Sequence, residues 1–407
     1  MRHRSLAYST TVGARTVIIV NPRSSGGAAG KRWPELAETI GAVLPFEERI
    51  TQAPGDGTRL AREALLDGAT QIVALGGDGT INEVINGFFD GEGKALRTNA
   101  TFGLIPFGTG GDFRRSVKVP RDIAEAAKVL VHGQVQALDI GRMTYTAPDR
   151  TTRVRMFGNI ASFGVSGVVD RLVNESAKRL GRFSFLLASA RATLTYKNQR
   201  VALVFDDDET SRVELTINTV AVANGRYFGG AMKVAPDAEL TDGLFDVVSL
   251  GDLGFLDLLS SGRRIYRGSH LSLDKVSSRR ARSLHALPLD ENDAVQIDLD
   301  GENVGTLPAR FEILPAAIRM MVPVPAARVV AGRGASDDAA HSAAHSAAGQ
   351  SAGEASPSVG GASSNNRACD VEVDHRRELV QPVRSDPNVH DAGRSGALPI
   401  QPSDVTP

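Results

Sequence analysis

Two glycine-rich stretches, each with an aspartate inside it, are the part of this chain best suited to chemistry. The first is ALGGDGTINEVING at residues 74–87, and the second is TFGLIPFGTGGDF at residues 101–113. In both, an apolar run ends in glycines, where backbone N–H groups can converge on a phosphate. A third stretch, NPRSSGG at residues 21–27, also follows an apolar run and is small and polar. One such loop is common in ordinary strand-to-helix turns, but three together favour a phosphate-binding site.

Asp78 lies where a phosphate would bind, which requires an explanation. A carboxylate about 4 Å from a phosphate oxygen is repelled by roughly a few kcal/mol at an intermediate dielectric. A divalent cation between the two groups makes the arrangement favourable, as in phosphoryl-transfer sites. We therefore expect Mg²⁺ beside Asp78, bound directly or through water. Asp112 gives the second loop an acid of the same kind.

Two further acidic stretches could hold a cation or accept a proton. In ELTDGLFD, Glu239 and Asp242 are three residues apart, and carboxylates with a backbone carbonyl can bind a hard cation. In AVQIDLDGENVG, Asp300 and Glu302 flank Gly301 after an alternating strand pattern. A pair of acids at a loop tip that faces a cleft could take the proton from an attacking hydroxyl. Both stretches contain Asp-Gly, so plain hairpin turns are the alternative at each.

The elements that would position these loops alternate between strand and helix over residues 14–140. Apolar strand patterns occur in RTVIIVN, FEERIT, QIVALGG and TFGLIPFG, and helical patterns separate them. The helix after QIVALGG is expected to begin at Thr80, with Glu83 at capping-box spacing. This alternation predicts a mostly parallel sheet covered on both faces, with its loops gathered at the carboxyl ends of the strands.

The rest of the chain divides into a β-rich part and a tail. Residues 137–315 are mainly strand patterns, interrupted by a helical pattern around residues 172–194. Residues 316–324 could close this second domain or return to the first. The predicted organisation is a flexible leader (1–13), a Rossmann-like three-layer α/β domain (14–136, with or without 316–330), an antiparallel β-sandwich domain (137–315) and a disordered low-complexity tail (334–407).

Composition restricts the class of protein. The formal net charge of −1 gives no reason to expect nucleic-acid binding, and the single cysteine, Cys369, excludes an intramolecular disulfide. No apolar run reaches the roughly 18 residues of a membrane span. We therefore expect a cytoplasmic protein that is soluble or peripherally attached to a membrane. The Walker A, dinucleotide and protein-kinase motifs are absent, so a kinase here would be of another kind.

Five motifs together resemble those of the bacterial lipid kinases of the diacylglycerol kinase and sphingosine kinase catalytic family. They are, in order, GGDGTINEVING, IPFGTGGDF, LDIG, ANGRYFGGAMKVAPDAELTDGLFDVV, and DLDGE followed by ARFEILP. The resemblance covers residues 15–325 and implies ATP-dependent phosphorylation of a lipid hydroxyl, with the nucleotide between an α/β domain and a β-sandwich. One departure is Gly111, where the family usually has Asn, so a side-chain hydrogen bond is lost at that position.

The resemblance also implies roles for individual residues. Glu302 would be the general base, assisted by Asp300. The acidic, water-linked Mg²⁺ network would consist of Asp78, Asp112 and Asp139. A separate structural Mg²⁺ would bind Glu239, Asp242 and the Leu244 carbonyl. The residues that would contact ATP are Asn21, Pro22, Arg23, Ser24, Ser25, Thr51, Gly76, Gly77, Asp78, Gly79, Thr80, Ile81, Asn82, Glu83 and Thr109.

The acceptor is less sharply defined than the nucleotide site. Basic residues around the 172–194 helix, with the clusters Arg263/Arg264/Arg267 and Arg279/Arg280/Arg282, would suit docking on an anionic membrane. Solvated charges beside a packed helix are the alternative. The main hypothesis is a membrane-visiting kinase of diacylglycerol or a related lipid alcohol, acting as a monomer or a homodimer. The other hypotheses are an NAD kinase-like kinase of a small soluble acceptor and a non-catalytic nucleotide- or lipid-binding protein on the same fold.

Overall fold

The first part of the chain forms a parallel sheet whose strands alternate with helices. The computed structural model describes residues 15–96, 99–108, 110–147, 149–165, 196–253, 263–290 and 293–325. The first strands are β1 (Thr16–Val20), β2 (Glu47–Ile50), β3 (Gln71–Gly76) and β4 (Thr101–Pro106). The helices are α1 (Ser24–Gly41), α2 (Asp56–Leu66), α3 (Asp78–Asn86), α4 (Asp112–Ser116) and α5 (Ile123–His132). The predicted leader, tail and 172–194 helix, and also Thr109, lie outside the described residues.

Helices cover both faces of this sheet. The strands pair in parallel in the order β2-β1-β3-β4, and β1, with the sequence TVIIV, is buried at every position. A strand that is apolar throughout is typical of a sheet covered on both sides. Ile81 and Val84 of α3 pack in the core on one face, and Trp33 and Leu36 of α1 pack in the core on the other. No helix among the described residues is long and apolar enough to cross a bilayer.

Mostly antiparallel strands form the rest of the sheet. They are β5 (Gln134–Thr146), β6 (Thr152–Phe157), β7 (Ile160–Gly164), β8 (Gln199–Phe205), β9 (Asp208–Ile217), β10 (Thr219–Ala223), β11 (Phe245–Leu250), β12 (Val276–Ala281), β13 (Ser283–Pro288), β14 (Gln296–Leu299) and β15 (Glu302–Val322). Their core is rich in phenylalanine: Phe157 stacks on Phe245 with ring centroids 5.6 Å apart, and Phe163 stacks on Phe311 at 6.0 Å. The predicted fold class, α/β followed by antiparallel β, is confirmed.

Two long strands, β5 and β15, belong to both regions. In β5, Leu138 lies in the core beneath α3, whereas Met143 lies in the phenylalanine-rich core. β15 leaves the β region and pairs in parallel with β4, with Arg319 opposite Thr101. Residues 316–322 therefore return to the first sheet, which is one of the two alternatives that the sequence left open. The predicted domain boundaries stay predictions, because β5 and β15 contribute to both cores.

The strands β12 and β13 were not predicted from the sequence. β12 has the sequence VSSRRA, is exposed at its four central positions and lies at the edge of the sheet. An edge strand with polar residues on both faces lacks the alternation that identifies a strand. Part of the predicted basic cluster, Arg279 and Arg280, lies on this strand.

The capping box predicted at the start of α3 is wrong. The helix begins two residues before Thr80, and no side chain caps its first turn. The Thr80 hydroxyl accepts a hydrogen bond from Asn21 Nδ2 at 2.9 Å. Glu83 instead accepts the backbone N–H groups of Gly55 and Gly57, each at 2.8 Å. These groups lie at the start of α2, where unpaired N–H groups and the helix dipole stabilise a carboxylate.

Candidate active site

The carboxyl ends of β1 to β4 meet at one edge of the sheet, because these strands are parallel. Asn21 follows β1 and reaches Thr80 at the start of α3, with 2.9 Å between Nδ2 and Oγ1. Thr51 follows β2 and is buried. The loops that contain Asp78 and Asp112 follow β3 and β4. The structure thus gathers the loops predicted to bind ATP, and the contacts of each residue with a nucleotide stay predictions.

The loop after β1 has an unusual backbone. Ser25, Gly26 and Gly27 have φ angles of 53°, 67° and 88°, so three consecutive residues are left-handed at the start of α1. Non-glycine residues rarely adopt this conformation, and such strain is frequent at ligand sites. Arg23 is exposed and donates its backbone N–H to Asn21 Oδ1 at 3.0 Å. The predicted segment 21–25 therefore lies at the same edge as the glycine-rich loops.

The two glycine-rich loops touch through their backbones. A Cβ atom on Gly108 would lie 2.7 Å from the Cα of Gly77, which is too close for any side chain. The pocket between the loops is also lined by Arg114, Arg115 and Arg121. Burial lowers the pKa of Arg114, and the charges of the other two arginines lower it further. Guanidinium groups crowded beside the N–H groups of glycine loops form a site for an anion such as a phosphate.

These three arginines were missed by the sequence analysis. The available signal was the pair of arginines directly after GGDF, at the start of the helix that follows the second loop. At Gly111 the backbone is left-handed, with φ of 72°, and a Cβ atom there would lie 3.3 Å from Arg114 Nε. An arginine therefore lies beside the position where the family usually has Asn.

Asp78 lies in the first turn of α3 and faces the start of α4. Its carboxylate accepts the N–H of Gly111 at 2.8 Å and the N–H groups of Asp112 and Phe113 at 3.3 Å. Burial raises the pKa of Asp78, the negative charge of Asp112 raises it further, and the three N–H groups lower it. Because two acids share this position, a cation bound beside them would be stabilised by both.

Asp112 connects the second glycine-rich loop to the β region. Its side chain is buried and accepts the N–H groups of Gly230 and Ala231, both at 2.8 Å. These two residues lie between β10 and β11. Arg115 also donates to the Asp112 carboxylate at 2.8 Å. A loop of the β region is therefore fixed against the edge of the α/β region that carries the glycine-rich loops.

Asp300 and Gly301 form the two-residue turn between β14 and β15 that Asp-Gly predicted. Their φ angles are 48° and 91°, both left-handed, as a type I′ turn requires. The Asp300 carboxylate accepts the Ile160 N–H at 2.9 Å and the Asn82 Nδ2 group at 2.9 Å. Burial raises the pKa of Asp300 to about 6, and the charge of Asp78 adds to the increase. Asp300 is therefore both a turn former and a perturbed acid close to Asp78.

Glu302 follows the turn directly, and its side chain is 45% exposed. Arg155 Nη2 lies 3.3 Å from its Oε2 atom. The other oxygen, Oε1, reaches the first turn of α3, because a Cβ atom on Gly79 would lie 3.4 Å from it. The structure thus brings four of the predicted acids together around the start of α3, in the region called the cleft below: Asp78, Asp112, Asp300 and Glu302.

Asp139 is buried, but its contacts lead to another part of the molecule. Its carboxylate accepts the N–H groups of Gly243 and Ala316, both at 2.7 Å. In the described part of the chain, no hydrogen bond or ion pair joins this carboxylate to Asp78 or Asp112. The participation of Asp139 in a Mg²⁺ network stays a prediction.

The second predicted cation site lies just before β11. Asp242 pairs with the Arg280 guanidinium and accepts the Leu244 N–H at 3.0 Å, and Glu239 is exposed. The Oδ2 atom of Asp246 is buried without a hydrogen-bond partner in the described residues, and burial raises the pKa of this carboxyl. Because Arg280 already supplies positive charge, the structural Mg²⁺ at this position stays a prediction.

The acids of the cleft fit Mg²⁺ bound partly through water and phosphate. Within the described ranges, no group of three or more carboxylate, histidine or cysteine side chains could hold a metal ion by itself. Mg²⁺ usually keeps several waters and binds one or two carboxylates together with phosphate oxygens. Asp78 and Asp112 provide two neighbouring carboxylates. Burial raises the pKa of Asp78, and the charge of Asp112, which a cation would offset, raises it further.

Comparison with known proteins finds two domain families in this chain. Residues 15–143 match the diacylglycerol kinase catalytic domain, and residues 159–322 match the YegS C-terminal NAD kinase beta sandwich-like domain. The first match contains both glycine-rich loops, and the second contains the turn with Asp300 and Glu302. The chain carries a diacylglycerol kinase catalytic domain. This confirms the resemblance seen in the sequence.

Individual relatives match almost over their full length. The diacylglycerol kinase of Bacillus subtilis (strain 168) is 29% identical over 312 residues, which cover 76% of this chain and 96% of the relative. The diacylglycerol kinase of Mycobacterium tuberculosis (strain H37Rv) is 27% identical over 321 residues, with 76% and 95% covered. A crystal structure of a diacylglycerol kinase from Bacillus anthracis strain Sterne has a TM-score of 0.55 at 22% identity, covering 77% of this chain and 98% of that chain. The last comparison supports the fold of this chain.

Proposed function

We propose that this protein transfers the γ-phosphate of ATP to the hydroxyl of diacylglycerol or a related lipid alcohol, with Mg²⁺. The observation that carries the proposal is the position of the Asp300–Glu302 turn against the start of α3, which contains the end of the first glycine-rich loop. A proton acceptor at a phosphate-binding edge is the arrangement that phosphoryl transfer to an alcohol requires. The names of the relatives support diacylglycerol as the acceptor.

Each group around the cleft has a defined task in this reaction. The N–H groups of the glycine-rich loops, with Arg114 and Arg115, bind the phosphate oxygens. The acceptor oxygen attacks the γ-phosphorus, the bond from that phosphorus to the β–γ bridging oxygen breaks, and ADP leaves. Glu302 takes the proton of the acceptor hydroxyl. Mg²⁺ beside Asp78 and Asp112 would offset the charge of the phosphates.

The proposal is tested by incubating the purified protein with Mg-ATP and a panel of lipid alcohols. We expect phosphorylation of diacylglycerol or a related lipid. Glu302→Gln should lower the turnover by about 100-fold or more, because it removes the proton acceptor. Asp78→Asn should also lower the turnover and raise the Mg²⁺ concentration needed. Glu209→Gln, on an exposed hairpin, is the control and should behave as wild type.

Two outcomes would replace this proposal with the other hypotheses. Phosphorylation of NAD but of no lipid would identify a kinase of a small soluble acceptor. Nucleotide binding without a product on any acceptor would identify a non-catalytic protein. Near-normal turnover of Glu302→Gln would remove the assignment of Glu302 as the base.

We further propose that the lipid is reached at an anionic membrane surface. Residues 263–267 are helical and present three arginines to solvent, and Tyr266 between them is 56% exposed. Clustered arginines with an exposed aromatic ring are typical of peripheral docking on anionic lipids. The N–H of Lys233 bonds to the Ile265 carbonyl at 3.1 Å, so this helix packs on the loop that reaches Asp112. The basic residues predicted around 178–191 lie outside the described residues.

The docking proposal is tested by sedimentation with vesicles. We expect binding to vesicles that contain phosphatidylglycerol and much weaker binding to phosphatidylcholine alone. Replacing Arg263, Arg264 and Arg267 by glutamine should weaken the binding by about 100-fold, at about 1 kcal/mol for each arginine. Activity on a water-soluble short-chain acceptor should be unchanged. Undiminished vesicle binding of this triple variant would refute the assigned surface without affecting the kinase proposal.

A further inference from the structure

Arg155 on β6 contacts the proposed general base, Glu302, and its type and spacing gave no signal in the sequence. Its side chain is 31% exposed. The Nη2 atom lies 3.3 Å from Glu302 Oε2 and 3.3 Å from Asn82 Oδ1. One nitrogen of the guanidinium group therefore contacts both the acid of the turn and an amide of α3.

The amide of Asn82 is fully used inside the protein. Its Nδ2 atom donates to Asp300 Oδ2 and to the Met156 carbonyl, both at 2.9 Å. Its Oδ1 atom accepts from Arg155 and from Asn86 Nδ2, the latter at 3.1 Å. The residue is 2% exposed. The opposite orientation of the amide would place its NH₂ group against Arg155 and its oxygen against the Asp300 carboxylate, so this network specifies one orientation.

The turn itself is held by its backbone. The N–H of Asp300 donates to the Ile160 carbonyl at 3.1 Å, and the N–H of Gly301 donates to Asp298 Oδ1 at 3.0 Å. These bonds fix the turn but do not fix the long side chain of Glu302. Among the described residues, Arg155 is the hydrogen-bond partner of that side chain. A general base must lie within hydrogen-bond reach of the proton it accepts, so a side chain free to rotate would be less effective.

We infer that Arg155 and Asn82 are positioning residues that hold Asp300 and Glu302 in one arrangement against the start of α3. Asn82 holds Asp300 directly, and Arg155 joins Glu302 to the same amide. This assigns the Asn82 side chain to the acidic turn instead of to ATP. The inference rests on the proposed function, because it takes Glu302 as the proton acceptor.

The test is a double-mutant cycle of Arg155→Gln and Glu302→Gln, measured with Mg-ATP and the best lipid acceptor. Arg155→Gln should lower kcat by about tenfold and leave the KM for ATP within about twofold, because it affects the base and not the phosphates. Arg155→Lys should recover part of the loss. In the Glu302→Gln background, Arg155→Gln should cause no further loss. Arg153→Gln is the matched control: Arg153 lies on the same strand and pairs with Asp149 on an exposed hairpin.

Two results would overturn the inference. Equal losses from Arg155→Gln with and without Glu302 would show that Arg155 acts independently of the acid. A raised KM for ATP with an unchanged kcat would show that Arg155 binds the nucleotide. Thermal unfolding of each variant separates these results from misfolding, and Arg155→Lys serves if Arg155→Gln does not fold.

If the wild-type protein phosphorylates no lipid, the proposed function is refuted. The contact between Arg155 and Glu302 is then tested by a second measurement, which needs no activity. Unfolding free energies of the same four proteins give the coupling between the two side chains without any activity. We expect the two substitutions to be coupled. The double variant should then lose less unfolding free energy than the two single variants lose together. Strict additivity would overturn the contact that carries the inference.

Discussion

Replacing Asp300 by asparagine tests whether this carboxyl binds its proton more tightly in the folded protein than in the unfolded chain. Asparagine has nearly the same shape, and it tolerates the left-handed φ of 48° found at this position. Its side chain does not titrate. The pH-dependent part of the stability difference between the wild type and Asp300→Asn therefore reports the Asp300 proton, together with its coupling to Asp78.

The magnitude follows from the two pKa values. Burial raises the pKa of Asp300 from 3.8 to about 6 in the folded protein. Because the folded-state pKa is the higher one, the folded protein binds more protons between these values, and its stability falls as the pH rises through this window. A pKa difference of about two between the folded and unfolded states contributes about 3 kcal/mol to the free energy of unfolding at low pH. About 2 kcal/mol of this contribution is lost between about pH 4.5 and 7.5.

The assay is urea unfolding of both proteins at about pH 4.5 and 7.5, without nucleotide or metal. The stability of the wild type relative to Asp300→Asn should fall by about 2 kcal/mol between these pH values. The altered hydrogen bond to Asn82 affects both measurements equally and cancels. Asp149→Asn is the control, since bonds from Thr151 lower the pKa of Asp149, and it should show no such fall. The same difference at both pH values would refute a raised pKa at Asp300.

Three further substitutions test individual contacts by stability or binding measurements instead of turnover. Glu83→Ala should cost about 1–2 kcal/mol in urea unfolding because it leaves two N–H groups of α2 unpaired, whereas the exposed Glu63→Ala should cost less than about 0.5 kcal/mol. Gly108→Ala should abolish nucleotide binding in calorimetry, because its Cβ would lie 2.7 Å from the Cα of Gly77; unchanged affinity would contradict the close contact of the loops. Asp139→Ala should destabilise the metal-free protein by about 2–4 kcal/mol, since two N–H groups lose a buried carboxylate; a loss seen only with Mg²⁺ present would favour a metal ligand instead.

The parts of the fold that rest on periodic apolar patterns could be predicted from the sequence. β1, β3 and β4 are buried on both faces, and the continuous apolar runs in their sequences indicate this burial. The Asp-Gly turn at Asp300 was also predictable, because few residues adopt two consecutive left-handed conformations. β12 could not be predicted, since its position depends on pairing with β11, and its central residues are polar and exposed.

The candidate site was predicted in its loops but not in its internal contacts. The glycine-rich loops could be predicted because a tight turn requires glycine within a few residues. The aspartates lie in the same short stretches of sequence. The bonds from Arg155 to Glu302 and from Asn82 to Asp300 join residues 147 and 218 positions apart. Such pairs depend on how β6 and the turn pack on α3, which a single sequence does not specify. For the same reason Glu83 was assigned to its own helix, although its partners lie on α2.

The continuity of β5 and β15 restricts how the two cores can move. Both strands run from one core to the other and remain paired along most of their length, so within the described residues paired strands join the two cores. The pairing is interrupted between Leu314 and Ile318, and there Asp139 accepts the Ala316 N–H. A displacement of one core against the other would therefore bend two hydrogen-bonded strands instead of a loop.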